Sequence, residues 1–409
     1  MLARRGIPTP RRPRGAWWIA AIAAAYAAQL SIGHTMARGG AGPFAVVTWS
    51  AGETPAVCGL LLCGAIESYA LLALYRREAR GVAVAAGAIA LAALSLATPL
   101  LFNADLYAYV GNGILGLSAY TPPHLPFAGE LHAINVWWGV PVPPATYGPL
   151  WLVTARLLTG SGAILVDLLG FRLLGLTMLA SIVALLHVSN VPRPLLALVA
   201  LNPALYWQFV LDGHNDLIPT AIVLVAAAVA ASGPGLSALL IAVAALFKAP
   251  FALLGLPVLI AVRSPSRRWI AAGVAVAVAA SASAIAGGPG YAAALLRQVG
   301  GSGTLTAFHA LAAAAAVALI AGALAGPKRL RTAAWLLPAV APYAAPWYAL
   351  WSLPYASSAR RALVYLLVAL PLVAVLLEPS LARWWTVTVC VPLAAILSIR
   401  LPRRKPPPA

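Results

Sequence analysis

Residues 76–105 read RREARGVAVAAGAIALAALSLATPLLFNAD. A basic cluster, Arg76, Arg77 and Arg80, gives way to 21 residues without a charge, Val82–Phe102, and these end on Asn103-Ala104-Asp105. A hydrocarbon core takes roughly 20 apolar residues as helix. The stretch therefore reads as a membrane span with arginines at one boundary and an acid at the other. Runs of the same kind recur on both sides of it, including Ala16–Ala37, Pro55–Tyr75 and Trp269–Ile285.

The whole chain has this character. Hydrophobic residues make up 62% of its 409 positions, charged residues only 9%, and the mean hydropathy is +0.90. Soluble domains carry about 25% charge, so a soluble fold is excluded. No alternating period-2 segments occur, which excludes a β-barrel. The expectation is an all-α polytopic bundle, one integral membrane domain over residues 1–409, with about ten to thirteen membrane segments including half-helices.

Most of the basic residues behind the net charge of +18 fall in flanks and short connectors. Arg4, Arg5, Arg11, Arg12 and Arg14 precede the first apolar run, and Arg400, Arg403, Arg404 and Lys405 follow the last. Further clusters lie at Arg263–Arg268, Lys328–Arg331 and Arg360–Arg361. That distribution follows the positive-inside rule and argues against nucleic acid. Tails 1–15 and 400–409 read as cytoplasmic and suited to anionic lipid. Cys58, Cys63 and Cys390 sit in apolar runs without metal-type spacing and read as small buried hydrophobes.

Counting from the basic ends puts residues 103–146 outside, the longest loop and the richest in polar and aromatic residues. It also puts Gly287–Thr304 outside, as a loop. Between Tyr147 and Arg263 the apolar runs shorten, several to 12–15 residues. These cover only about 18–23 Å as helix, so half-helices and re-entrant segments are expected there. If every run crosses, His214-Asn215-Asp216 faces inside. If Leu236–Val262 is a re-entrant pair, it faces outside.

The few polar residues carry the functional reading. Asp105 opens an amphipathic pattern in which Leu106, Tyr109, Val110 and Gly113 share a face. That pattern fits a short interfacial helix, with the acid either capping it or doing chemistry. Asp212-Gly213-His214-Asn215-Asp216 sets two acids, an imidazole and an amide between apolar runs. Burying such a group unpaired costs several kcal/mol, so a polar cavity is expected. The cluster establishes no cofactor; a hard divalent metal would suit these ligands, but their spacing is not diagnostic of one. Lys248, in Phe247-Lys248-Ala249-Pro250, either snorkels to the membrane surface or meets an anion at depth. Asp167 is expected at a helix end, paired with Arg172. Tyr147-Gly148-Pro149-Leu150-Trp151 and Pro346–Trp351 are aromatic-proline elements of the kind found at membrane interfaces.

Taken in order, these elements resemble the GT-C superfamily of membrane glycosyltransferases. The match is to actinobacterial-type α-1,6-mannosyltransferases that use polyprenyl phosphomannose. The pattern comprises Asp105/Tyr107/Tyr109, Tyr147–Leu150, Asn202/Pro203 with Gly213–Asp216, Lys248/Pro250 and Pro346–Trp351, over residues 100–355. Asn103 stands where the family often has a basic residue before the acid.

The resemblance implies transfer of a hexose, mannose, from a polyprenyl-phosphate donor to a glycan or glycolipid hydroxyl with inversion. Asp105 would be the general base. Lys248, His214 and Arg297 would bind the donor phosphate. Tyr107, Tyr109, Tyr147, Asn215, Asp216, Trp347 and Tyr348 would line the substrate site. It further implies a bacterial-type plasma membrane, an active site on the outer face and a role in building the cell envelope. A transporter or flippase of lipid-linked sugars is the alternative, since it too would use intramembrane charges and broken helices.

Overall fold

The computed structural model describes residues 15–38, 42–48, 53–77, 79–230, 232–254, 265–300, 317, 348, 350, 351, 353 and 360–375. Both basic tails and Trp347 lie outside the described residues, as does the side chain of Arg297. In chain order the helices are α1 (Ala16–Met36), α2 (Thr54–Arg76), α3 (Gly81–Ala97), α4 (Asp105–Leu115), α5 (His132–Trp138), α6 (Pro149–Leu158), α7 (Ile164–Val188) and α8 (Arg193–Ala200). There follow α9 (Pro203–Leu205), which runs on as a π-helical turn over Tyr206–Leu211, α10 (Leu217–Val229), α11 (Pro234–Phe247), α12 (Pro265–Ile285), α13 (Gly288–Gly300) and α14 (Arg360–Val375).

The protein is an all-α membrane bundle. Helices α1, α2 and α7, of 21, 23 and 25 residues, are long and apolar enough to cross a membrane. The α8–α9 pair, bent by 45°, and the α12–α13 pair, bent by 97°, meet the same test as broken spans. Helices α3, α6, α10 and α11 are apolar but shorter. Along the long spans apolar residues point all ways, since one side meets neighbours and the other meets lipid. Trp17 and Leu62 are among those left exposed.

Proline and asparagine set the breaks. Pro55, Pro149, Pro203 and Pro234 each stand in a first helical turn, where the missing N–H costs nothing. Between α8 and α9, the Asn202 side chain accepts from the Ala204 N–H and donates to the Leu367 carbonyl, 2.8 Å away on α14. Helix α11 stops at Lys248, and a 3-10 turn over Ala249–Leu254 continues the chain.

A small sheet stands beside the site. Strand β1 (Ala37–Arg38) pairs antiparallel with β2 (Ala45–Val47), which pairs parallel with β3 (Leu100–Leu101). One apolar core gathers α1, α2, α3, α8, α9 and α14 around Tyr26, Leu71, Leu198, Trp207 and Leu367. A second gathers α4 to α7 around Leu106, Tyr109, Trp151 and Phe171. The loop Asp212–Asp216 runs between them.

Two expectations are corrected. Gly287–Thr304 is not simply a loop, because α13 occupies Gly288–Gly300 after the sharp bend at Gly287. Asp167 and Arg172 do not pair. Five residues on an α-helix turn the side chain about 140°, so the two face different sides of α7. Asp167 accepts from Ser161 Oγ at 2.6 Å, while Arg172 is directed at backbone carbonyls.

Candidate functional site

Asp105 is the first residue of α4, and its backbone N–H is held by Asn103 Oδ1 at 3.0 Å. Its carboxylate is not spent on capping: no side-chain cap hydrogen bond closes this helix. It turns instead to His214, with Oδ2 lying 3.2 Å from Nε2. Asp105 retains 17% side-chain exposure against 3% for His214, so the acid forms the open side of the pair.

The π-helical turn explains the imidazole's placement. His214 donates its backbone N–H to the Gln208 carbonyl, and its ring Nδ1 lies 2.7 Å from the same oxygen. A carbonyl only accepts, so Nδ1 carries a proton. Nε2 and Asp105 can then attract only by sharing a second proton, as imidazolium against carboxylate or as imidazole against carboxylic acid. Burial pushes the His214 pKa down, but the Asp105 carboxylate, the Asp212 charge and the Gln208 carbonyl outweigh it. The net shift is upward from 6.5, toward the protonated ring.

Gly213 makes this loop possible. Its φ is +65°, a conformation that costs other residues a Cβ clash, and a Cβ there would strike the Leu106 side chain. Asp212 Oδ1 accepts from the Phe102 N–H at 2.8 Å. Burial pushes the Asp212 carboxyl up to about 7, against the opposing pull of His214, the Phe102 N–H and Arg172.

A second ion pair lies two residues along the loop. Lys248 Nζ donates to Asp216 Oδ1 at 2.7 Å and to the Tyr348 hydroxyl at 3.3 Å. Trp351 Nε1 donates to the same Asp216 oxygen at 3.0 Å. The ammonium is flanked by rings, 4.6 Å from the centroid of Tyr348, 5.5 Å from that of Trp351 and 5.8 Å from that of Tyr147. Lysine is therefore buried within the protein, with a carboxylate and aromatic faces around it. It has three N–H donors, and among the described residues two are accounted for.

Tyr109 joins the two pairs. It lies one helical turn beyond Asp105, on the same face, and its hydroxyl is 3.3 Å from that of Tyr147. Tyr107 points elsewhere, because two residues on a helix turn the side chain about 200°. It is fully buried, and its hydroxyl accepts from the Phe44 N–H and donates to the Phe44 carbonyl. Asn215 is buried, and among the described residues neither amide atom has a hydrogen-bond partner; the same holds for Asp216 Oδ2.

The structure thus brings together Asp105, Tyr109, Tyr147, His214, Asn215, Asp216, Lys248 and Tyr348. It takes Tyr107 out of the group. Trp351 belongs to the Pro346–Trp351 element but has no site role of its own in the sequence reading, although it stands three residues after Tyr348, the spacing that puts two helical side chains on one face. Asp212 was read only as part of its cluster, and Arg172 was given to Asp167. Among the described residues no three His, Cys, Asp or Glu side chains are arranged to hold a metal ion.

Comparison with known families matches residues 15–265 to the one described as alpha-(1->6)-mannopyranosyltransferase, N-terminal domain. The match takes in Asp105, the Asp212–Asp216 loop and Lys248, and ends before Tyr348 and Trp351. No curated protein and no solved structure matches the chain.

Proposed function

From the premise that this chain belongs to the alpha-(1->6)-mannopyranosyltransferase family, and is therefore a membrane mannosyltransferase, we propose that it takes mannose from a polyprenyl-phosphate carrier and passes it, with inversion, to a glycan or glycolipid hydroxyl. The observation that carries this reading is the Asp105–His214 contact of 3.2 Å, with the acid on the open side and the Lys248–Asp216 pair next along the loop.

Asp105 is the general base. A sugar hydroxyl is a weak nucleophile at neutral pH until a carboxylate within hydrogen-bond reach takes its proton. As that proton passes to Asp105, the acceptor oxygen bonds to the anomeric carbon. The bond from that carbon to the phosphate oxygen breaks, and the phosphate leaves with the electron pair. The developing oxocarbenium character is stabilised by the nearby negative charge. His214, as imidazolium, orients the Asp105 carboxylate and offsets its charge.

The departing phosphate needs donors. The third Lys248 N–H supplies one, the His214 imidazolium adds positive charge beside it, and Arg297 is a further candidate. Asp216 and Trp351 aim the lysine. Asn215, whose amide atoms have no partner among the described residues, and the rings of Tyr109, Tyr147 and Tyr348 suit sugar hydroxyls and sugar faces; Trp347 belongs to the same proposed lining. Tyr107, tied to Phe44, serves as packing.

A lipid-bound donor requires a site at the membrane boundary. The reading places residues 103–146 and the site outside and both termini in the cytoplasm, in a bacterial-type plasma membrane. The direct test is transfer of labelled mannose from polyprenyl phosphomannose in membranes containing the protein. Asp105→Asn keeps the shape and removes the base, and a loss of about 100-fold to 10,000-fold in rate is expected, the usual range for a positioned base. Undiminished transfer by that variant would remove Asp105 from the chemistry.

A further inference from the structure

Arg172 is fully buried, and four of its N–H groups go to main-chain carbonyls rather than to a carboxylate. Nη1 donates to Ser95 and Thr98 at 3.2 and 2.6 Å, Nη2 to Leu100 at 2.6 Å, and Nε to Leu211 at 2.9 Å. The guanidinium also lies 4.0 Å from the ring centroid of Phe44. These carbonyls belong to two chain segments far apart in sequence. Ser95, Thr98 and Leu100 close α3 and form β3, five residues before Asp105. Leu211 ends the π-helical turn, three residues before His214.

The last carbonyls of a helix have no partner within it, and leaving them buried and unpaired is costly. A cation at a helix C-terminus also complements the backbone dipole. One guanidinium meets this need for both segments, and its planar fork fixes their relative position. Asp212 ties the same segments one step nearer the site, through Oδ1 and the Phe102 N–H. The segment that delivers the acid and the segment that delivers the imidazole are thus joined twice, at adjacent places, behind the site.

We propose that Arg172 and Asp212 are positioning residues that set the reach between Asp105 and His214, and so the rate of mannose transfer, without touching substrate. The inference rests on the reading of Asp105 and His214 given above. Its physical content is that the two partners come from different segments, α4 and the loop after the π turn, so nothing local fixes their separation. A reacting group displaced by about 1 Å can lose 100-fold in rate.

The test measures kcat and the KM for polyprenyl phosphomannose, together with the thermal midpoint in detergent. Arg172→Lys keeps the charge but not the fork, and is expected to lower kcat about tenfold to 100-fold while leaving KM within about twofold. Asp212→Ala is expected to do the same, and Asp212→Asn, which keeps the acceptor for Phe102, to recover most of the loss. In a His214→Ala background, Arg172→Lys and Asp212→Ala should cost little more, because the effect passes through that pair.

Multiplying losses in that background would overturn the inference, as would KM and thermal midpoint moving together with kcat, or Asp212→Asn failing to recover. Should Arg172→Lys not fold, the Asp212 variants and their cycle with His214 decide the matter. Asp105→Asn, run alongside, separates the two levels. If it retains transfer, the base assignment is wrong. If it abolishes transfer while the clamp variants act independently of His214, only the present inference falls.

Discussion

At the scale of single residues, the site turns on where one proton sits. The Nδ1–H of His214 is committed to Gln208, so the ring carries the positive charge that the departing phosphate needs only while Nε2 also carries a proton. The His214 pKa is raised above 6.5, so that form predominates below the raised value and is lost as pH rises through it. The rate of mannose transfer is therefore expected to fall on the alkaline side with a pKa above 6.5, and His214→Gln, which cannot titrate, should abolish that limb. A pH–rate profile of both proteins checks this, and an identical alkaline limb in the variant would speak against it. Gly213→Ala is expected to lower the rate about tenfold or more, since the new methyl group meets Leu106, the neighbour of Asp105. Asp105, His214 and Lys248 could all be singled out as polar groups in apolar sequence. The pairings could not, because Asp105 and His214 stand 109 positions apart and Lys248 and Tyr348 stand 100 apart.

At the scale of elements, the unusual one is the π-helical turn after α9. Its extra residue per turn presents the Gln208 carbonyl to both the main-chain and the ring N–H of His214, and such turns recur at functional sites. Helix α7 approaches this turn so closely that a Cβ at Gly175 would collide with the Phe209 carbonyl. Gly175→Ala is expected to destabilise the protein by about 1–3 kcal/mol through overpacking against backbone, and to lower transfer as well, because the displaced turn carries the His214 acceptor. Thermal unfolding in detergent and the transfer assay together check this; a variant as stable and active as the parent would contradict it. Asn202-Pro203 marks the break before the turn in the sequence, since asparagine followed by proline starts helices. The π geometry itself left no mark there, being set by the neighbours that Tyr206–Leu211 meets on every side.

At the scale of the whole molecule, the charge pattern makes a prediction that composition alone supports. A cysteine introduced at Ser118, in the segment read as outer, should react with a membrane-impermeant maleimide added outside intact cells. One at Arg77 should react only after the cytoplasmic face is opened. The reverse pattern would invert the topology and move the site to the other face. Composition, the spacing of apolar runs and the placement of arginines suffice for a helical membrane bundle with broken spans, because the cost of moving peptide and charge into hydrocarbon is settled by each segment alone. The order of short motifs was enough to suggest the family. Tertiary structure decided the rest: that Asp105 meets His214, that Asp216 and Trp351 hold Lys248, that Tyr107 belongs to the packing, and that Arg172 serves backbone carbonyls instead of Asp167. Each of these depends on which faces of separate helices come together, and that is fixed by the joint packing of both cores, which no segment encodes by itself.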